Sequence, residues 1–215
     1  KLNASVEDID FNPDDFMARV NSDLVGKFVN IASRAAGFIN KYFQGKLIFD
    51  WDLGEGTQVS SEGALFIRLY GEADSIAAAY QEREFGRAIR EVMRLADVVN
   101  QYIDQNKPWE LAKDAKNLDA LHRLHQICSA SLDAFRILTI YLKPVLPSLA
   151  DKVQRFLNLE GKLNWSNLDT STHKINSYDH LLTRVEEKQL DALFEIEKET
   201  PVTNAPPPQP SPAGA

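Results

Sequence analysis

The stretch that most constrains this chain is Asn21 to Phe43, NSDLVGKFVNIASRAAGFINKYF. Its apolar residues Leu24, Phe28, Ile31, Ala35, Phe38 and Tyr42 recur at three- and four-residue intervals, which places them on one stripe of a helix. Such a stripe needs other helices to cover it. Asn30 and Arg34 are four apart, so their side chains are stacked neighbours on one face beside the stripe. Lys27 and Lys41 lie roughly in line with them. A helix buried along one side thus offers an amide, a guanidinium and two ammonium groups along its edge. These groups suit the reading of a base edge next to a phosphate backbone, and equally suit a solvated polar face.

The rest of the chain supplies the covering helices. A turn at Asn12-Pro13-Asp14 precedes the first helix, with Asn12 or Asp14 as its cap, and the helix runs from about Asp14 to Phe43, stopping near Gly45. Asp50 to Gly63 reads as an acidic, glycine-bearing loop, with Trp51 plugging the side of a bundle. The helical period returns from Ala64 (Leu65, Leu69, Ile76, Tyr80). It resumes after Glu84 as Phe85, Ile89, Val92, Ala96, Val99 and Ile103, with Arg83, Glu84, Arg87, Arg90 and Glu91 on a solvated face. Pro108 lacks a backbone donor, so it ends one helix and can begin the next, holding Trp109 at the junction. A further apolar face spans Leu118 to Leu142, and a shorter helix carries Leu149, Val153 and Phe156. Leu157 to Ser177 is irregular, and a last amphipathic helix is expected from about Tyr178 to Lys198. With no strand-period segment of useful length, the pattern predicts an all-α helical bundle.

Composition narrows the function classes. The 215 residues can bury one good core, and no apolar run is long enough to cross a bilayer. The formal charge of −7 argues against a protein that coats nucleic acid without regard to sequence, but leaves room for one that reads a few bases through a local basic edge. The single cysteine, Cys128, excludes an intrachain disulfide and fits a reducing cytoplasm. The start, KLNASVEDID, has no signal-peptide pattern and suggests a segment cut from a longer chain. Thr200 to Ala215 holds six of the ten prolines and no charge, and reads as a disordered linker.

Signatures of catalysis are wanting. The GEG near Trp51 lacks the further glycines of a phosphate loop, and no G-x-S-x-G occurs. His122, His125 and Cys128 are spaced by three on one helix, but such positions drift around it, so no metal site is assigned. Two features remain: the Asn30–Arg34 edge and the Pro108-Trp109 corner. A tryptophan held rigid after a proline offers a face on which an unpaired base can stack, and it can equally be core.

Several motifs in fixed order carry a resemblance. VNSDLVGKFVNIASRAAGFINKYF resembles the first helix of the anticodon-binding domain of methionyl-tRNA synthetases, in their bacterial form. REFGRAIREVMRLADVVNQYIDQNKPWELAK, FRILTIYLKPVLP and the HKIN at His173 follow in the family's order. The resemblance covers roughly residues 1 to 199. It implies an α-helical bundle of the class I synthetase type that receives the anticodon loop of methionine tRNA, elongator and initiator. By matching motif, Asn30 and Arg34 would hydrogen-bond anticodon bases, Pro108 and Trp109 would form the stacking wall, and Lys27 and Lys41 would support the basic edge. It implies no cofactor here: ATP with Mg and a structural Zn belong to the family's catalytic half, whose HIGH and KMSKS signatures are absent from this sequence. Alone, the chain is expected to aminoacylate nothing. The implied partners are tRNA, the catalytic domain of the same chain, and a C-terminal domain beyond the linker that grips tRNA and forms homodimers in some members. The residues alone also fit a helical protein-interaction module with a Trp-lined docking groove, or the anticodon domain of a sister synthetase.

Overall fold

A computed structural model describes residues 11–49, 59–161 and 163–198. The lead-in before Phe11, the Trp51 loop from Asp50 to Gln58 and the linker from Thr200 lie outside the described residues. The first helix is continuous from Pro13 to Phe43 but not uniform. It comprises α1 (Pro13–Arg19), a π-helical stretch (Val20–Val29) and α2 (Asn30–Phe43). Asn12 caps it, its side-chain oxygen accepting from the Asp15 backbone N–H at 3.0 Å, with Pro13 in the first turn where a missing donor costs nothing.

Six further α-helices follow in the first unit: α3 (Ser61–Gly71), α4 (Ala73–Gln81), α5 (Phe85–Asn106), the short α6 (Pro108–Leu111), α7 (Leu118–Leu142) and α8 (Pro147–Phe156). The sequence predicts one apolar face on α7. Instead every residue from Ile127 to Leu142 is buried, because α2, α3, α5, α6 and α8 all pack against this helix. Its polar residues are satisfied inside the core. Arg136 pairs with Asp133 at 2.6 Å and donates to the Leu168 carbonyl at 2.8 Å. Burial raises the Asp133 carboxyl above its ordinary value, and the Arg136 guanidinium opposes that rise. Phe28, in the π-helical stretch, lies 4.7 Å from Phe135, ring centre to ring centre, which locks the first helix onto α7. The stripe beginning at Leu24 is therefore the buried side of the first helix, with Phe28, Ile31 and Ala35 inaccessible or nearly so.

Three boundaries differ from the sequence expectation. The helix expected at Ala64 begins at Ser61, because the Ser60 hydroxyl accepts from the Gly63 N–H at 2.9 Å. Glu62, read as a loop acid, is thereby a buried helical residue. The helical run to Tyr80 is interrupted between Gly71 and Ala73, giving α3 and α4. The last helix, α9 (Glu187–Lys198), starts nine residues later than Tyr178. Gln189 explains this: its side chain accepts from the Glu186 N–H at 2.9 Å, a cap that fixes the first turn there. This helix belongs to a separate unit that begins at Val185.

Within the first unit, residues 173–184 form an irregular strap. Leu47 N–H donates to the His173 carbonyl at 2.9 Å, and Ile175 N–H donates to the Gly45 carbonyl at 2.8 Å. The Ile175 and Leu181 side chains are buried, so packing holds this segment out of a helix. Among the described residues no strand forms, and Lys46 and Lys174 make one isolated antiparallel bridge. No described helix is long and apolar enough to cross a membrane.

Gly45 is where the strap meets the end of α2. Its φ is +80°, and an added Cβ would stand 2.7 Å from the Ile175 carbonyl oxygen. Gly45→Ala should cost at least about 1–2 kcal/mol in urea denaturation. Gly37→Ala, mid-helix with nothing within 4 Å of the new methyl, should gain up to about 1 kcal/mol.

Candidate nucleic-acid interface

The edge of the first helix faces α5 across a groove of about 680 Å³. Lys27, Asn30 and Arg34 line one wall, and Asp97, Asn100 and Asp104 line the other. Each set is spaced by three and four, so each lies on one helix face. Arg184 from the strap also lines the groove. The π-helical stretch contributes Asn21 and Gly26, and its wide turns bring the Asn21 carbonyl so close that a Cβ on Gly26 would sit 3.1 Å away.

The walls are tied together. The Lys27 ammonium meets the Asp97 carboxylate at 2.9 Å, and an Arg34 guanidinium nitrogen meets Asp104 at 2.5 Å. The Asn100 amide donates to the Lys27 carbonyl at 3.1 Å and accepts from Arg34 at 3.5 Å. Asn30 accepts from the Ser33 hydroxyl at 3.2 Å. Trp109 completes the site. Its indole stands beside the groove with the Arg34 guanidinium carbon 5.1 Å from the ring centre, and it remains 37% exposed. Pro108 is buried at the first turn of α6.

Five of the six sequence-predicted residues are thus brought together. Lys41 is not. It lies two turns beyond Arg34, its ammonium 4.9 Å over the Tyr42 ring, and it does not line the groove. Asp97, Asn100, Asp104 and Arg184 were missed. The signal for the first three was the D-x-x-N-x-x-x-D spacing of α5, one face of a helix flanking its apolar stripe.

These acids decide what the groove suits. Their side chains are 59% and 62% exposed, against 27% and 22% for Lys27 and Arg34. Ion pairs whose acid is so exposed are worth only about 0–1 kcal/mol, so a ligand can displace them. Two carboxylates would nonetheless repel phosphate. The chemistry therefore favours an unpaired base, with forked donors, amides and an aromatic face, over a sugar–phosphate backbone.

No protein-family model matches the chain. Two curated relatives are methionine–tRNA ligases. That of Herminiimonas arsenicoxydans is 52% identical over 206 residues, covering 94% of this chain and 28% of that protein. That of Methylibium petroleiphilum is 52% identical over 222 residues, covering 100% and 29%.

This chain corresponds to a segment of the methionine–tRNA ligases.

It spans under a third of the length of those relatives. The fold agrees: the apo methionyl-tRNA synthetase of Mycobacterium tuberculosis superposes with a TM-score of 0.72 at 17% identity, covering 82% of this chain and 35% of that one. The same enzyme in complex with methionyl-adenylate gives 0.71. The histidine–cysteine series on α7 does not converge among the described residues. His125 stacks on Phe43 at 3.8 Å and bonds the Lys46 carbonyl at 2.8 Å, while burial pushes the Cys128 thiol up to about 12.

Because the groove is a surface feature, its residues can be changed without unfolding the bundle. Arg34→Ala should cost no more than about 1–2 kcal/mol in chemical denaturation, the sum of an exposed ion pair and a cation–π contact. A larger loss would make Arg34 a structural residue.

Proposed function

We propose that this chain is the anticodon-recognition part of a methionine–tRNA ligase. In this reading it receives the CAU anticodon of methionine tRNAs, elongator and initiator, in the cytoplasm. A catalytic domain elsewhere in the same protein then attaches methionine in an ATP-dependent reaction. ATP with Mg, and a structural Zn, are assigned to that catalytic half.

The observation that carries the reading is the meeting of Arg34 and Trp109, 5.1 Å apart, with Asn30 one turn away on the same groove wall. The guanidinium has paired donors for the O2 and N3 acceptors of cytosine, and the Asn30 amide has both a donor and an acceptor for a neighbouring base. The exposed indole face suits stacking of the first anticodon base, an interaction worth about 1–3 kcal/mol. To engage a base, Arg34 must leave Asp104. A ligand that offers acceptors in the right fork repays that exchange, and one that presents only phosphate meets Asp97 and Asp104.

The test is a titration of the chain with anticodon stem-loops of about 17 nucleotides carrying CAU or GAU, at one fixed low salt. CAU should bind more tightly. Trp109→Ala should weaken it about tenfold or more, and Arg34→Ala should cost about 1–3 kcal/mol of discrimination against a wrong first base. Equal binding of both loops by the unaltered chain would contradict the anticodon reading and favour a protein-docking module.

A further inference from the structure

The position of Trp109 depends on how α5 ends. Lys107, the residue after α5, takes a left-handed conformation (φ 45°, ψ 61°), and its N–H closes on the Ile103 carbonyl at 2.9 Å. Glu110 N–H then donates to the Lys107 carbonyl at 2.9 Å, and α6 departs carrying the indole. A non-glycine residue in that conformation needs support from its surroundings.

The support is visible at Asn106, the last residue of α5. Its amide nitrogen donates to the Tyr102 carbonyl at 2.9 Å, and its oxygen accepts from the Arg123 guanidinium at 2.8 Å. Arg123, on α7, is a hub. It also pairs with the Glu62 carboxylate at 2.9 Å and donates to the Ser61 hydroxyl at 3.1 Å. Glu62 is only 3% exposed, and the Tyr102 hydroxyl donates to the same carboxylate. One guanidinium thus joins the start of α3, the end of α5 and the body of α7. A fork with fixed geometry can hold three elements at once, where a lysine ammonium holds a point. None of these groups lines the groove.

We propose that Arg123, braced by Glu62 and acting through Asn106, is the positioning residue for the Trp109 stacking face. It fixes the last turn of α5, and with it the placement of the indole over Arg34. The effect on RNA rests on the anticodon reading above, whereas the placement of the indole does not.

The experiment labels the chain with 5-fluorotryptophan, assigns the Trp109 fluorine line with Trp109→Phe, and compares Arg123→Lys, Asn106→Ala and Asn106→Asp. Trp165, packed 5.1 Å from Tyr141 at another part of the core, is the internal reference. Arg123→Lys and Asn106→Ala should shift or broaden the Trp109 line and leave the Trp165 line in place. They should weaken CAU stem-loop binding about tenfold, as a misplaced stacking face would. Asn106→Asp, which keeps the acceptor for Arg123, should stay closer to the unaltered protein in both readouts. Asn106→Ala leaves the Arg123–Glu62 pair in place, so it remains informative if Arg123→Lys fails to fold. A Trp109 line and RNA affinity unchanged by Asn106→Ala, with only the unfolding midpoint lowered, would overturn the proposal. A Trp109 line that moves in a chain showing no CAU preference would support the positioning role and overturn the anticodon reading instead.

Discussion

A helical stretch with no wet face dictates the arrangement of the first unit. From Ile127 to Leu142, α7 exposes almost nothing to water, and it carries Asp133, Arg136 and Thr139 into the core as well as its hydrophobic residues. Such a helix cannot exist at a surface. It needs partners all around, and each partner must satisfy a polar group or fill a space. Phe28 closes one side against Phe135, Tyr80 donates to the Tyr141 carbonyl at 2.8 Å on another, and the Leu168 carbonyl meets Arg136 on a third. The first helix and α5 are both drawn to this post, so they also meet one another. Their outward edges define the groove. The candidate interface is thus a consequence of burying α7, with its polar residues left over from the faces that the core did not use.

The same logic explains why the site can be polar without being weak in stability. Lys27 and Arg34 have half-buried stems and reach exposed acids, so their heads are held but not trapped. Glu62, by contrast, is far more enclosed than the groove acids. There Tyr102, Arg123 and Ser61 satisfy the carboxylate, and together with its own backbone they outweigh the cost of burial and lower its pKa. Rigidity resides in this network and adaptability in the groove. A reader of unpaired bases needs that division, because the stacking face must stay fixed while hydrogen bonds are exchanged.

Much of this was legible in the sequence where one local rule was enough. The three- and four-residue spacing from Leu24 to Tyr42 assigned both the buried stripe and the edge with Asn30 and Arg34. The absent donor of Pro108 located the corner that holds Trp109. What was not legible depended on tertiary partners. Asp97 and Asp104 look like ordinary solvated acids until Lys27 and Arg34 are seen opposite them. Lys41 looks like part of the edge until the two turns separating it from Arg34 carry it past the groove. Glu62 reads as a loop acid unless the Ser60 cap is noticed, and its partners lie on α5 and α7. The start of α9 is not legible because the apolar period runs on through Leu181 and Leu182, while the Gln189 cap and the packing of the strap decide the boundary.

Whether an anticodon loop meets this groove is decided by where RNA contact falls on the protein. Amide chemical-shift mapping of the isotope-labelled chain with the CAU stem-loop addresses this directly. The largest changes should fall on Lys27 to Arg34, on Asp97 to Asp104 and on the Trp109 indole N–H, leaving α4 and α8 unperturbed. Changes centred on α3, α4 or α8, with the Trp109 indole unmoved, would contradict the assignment of this groove as the interface.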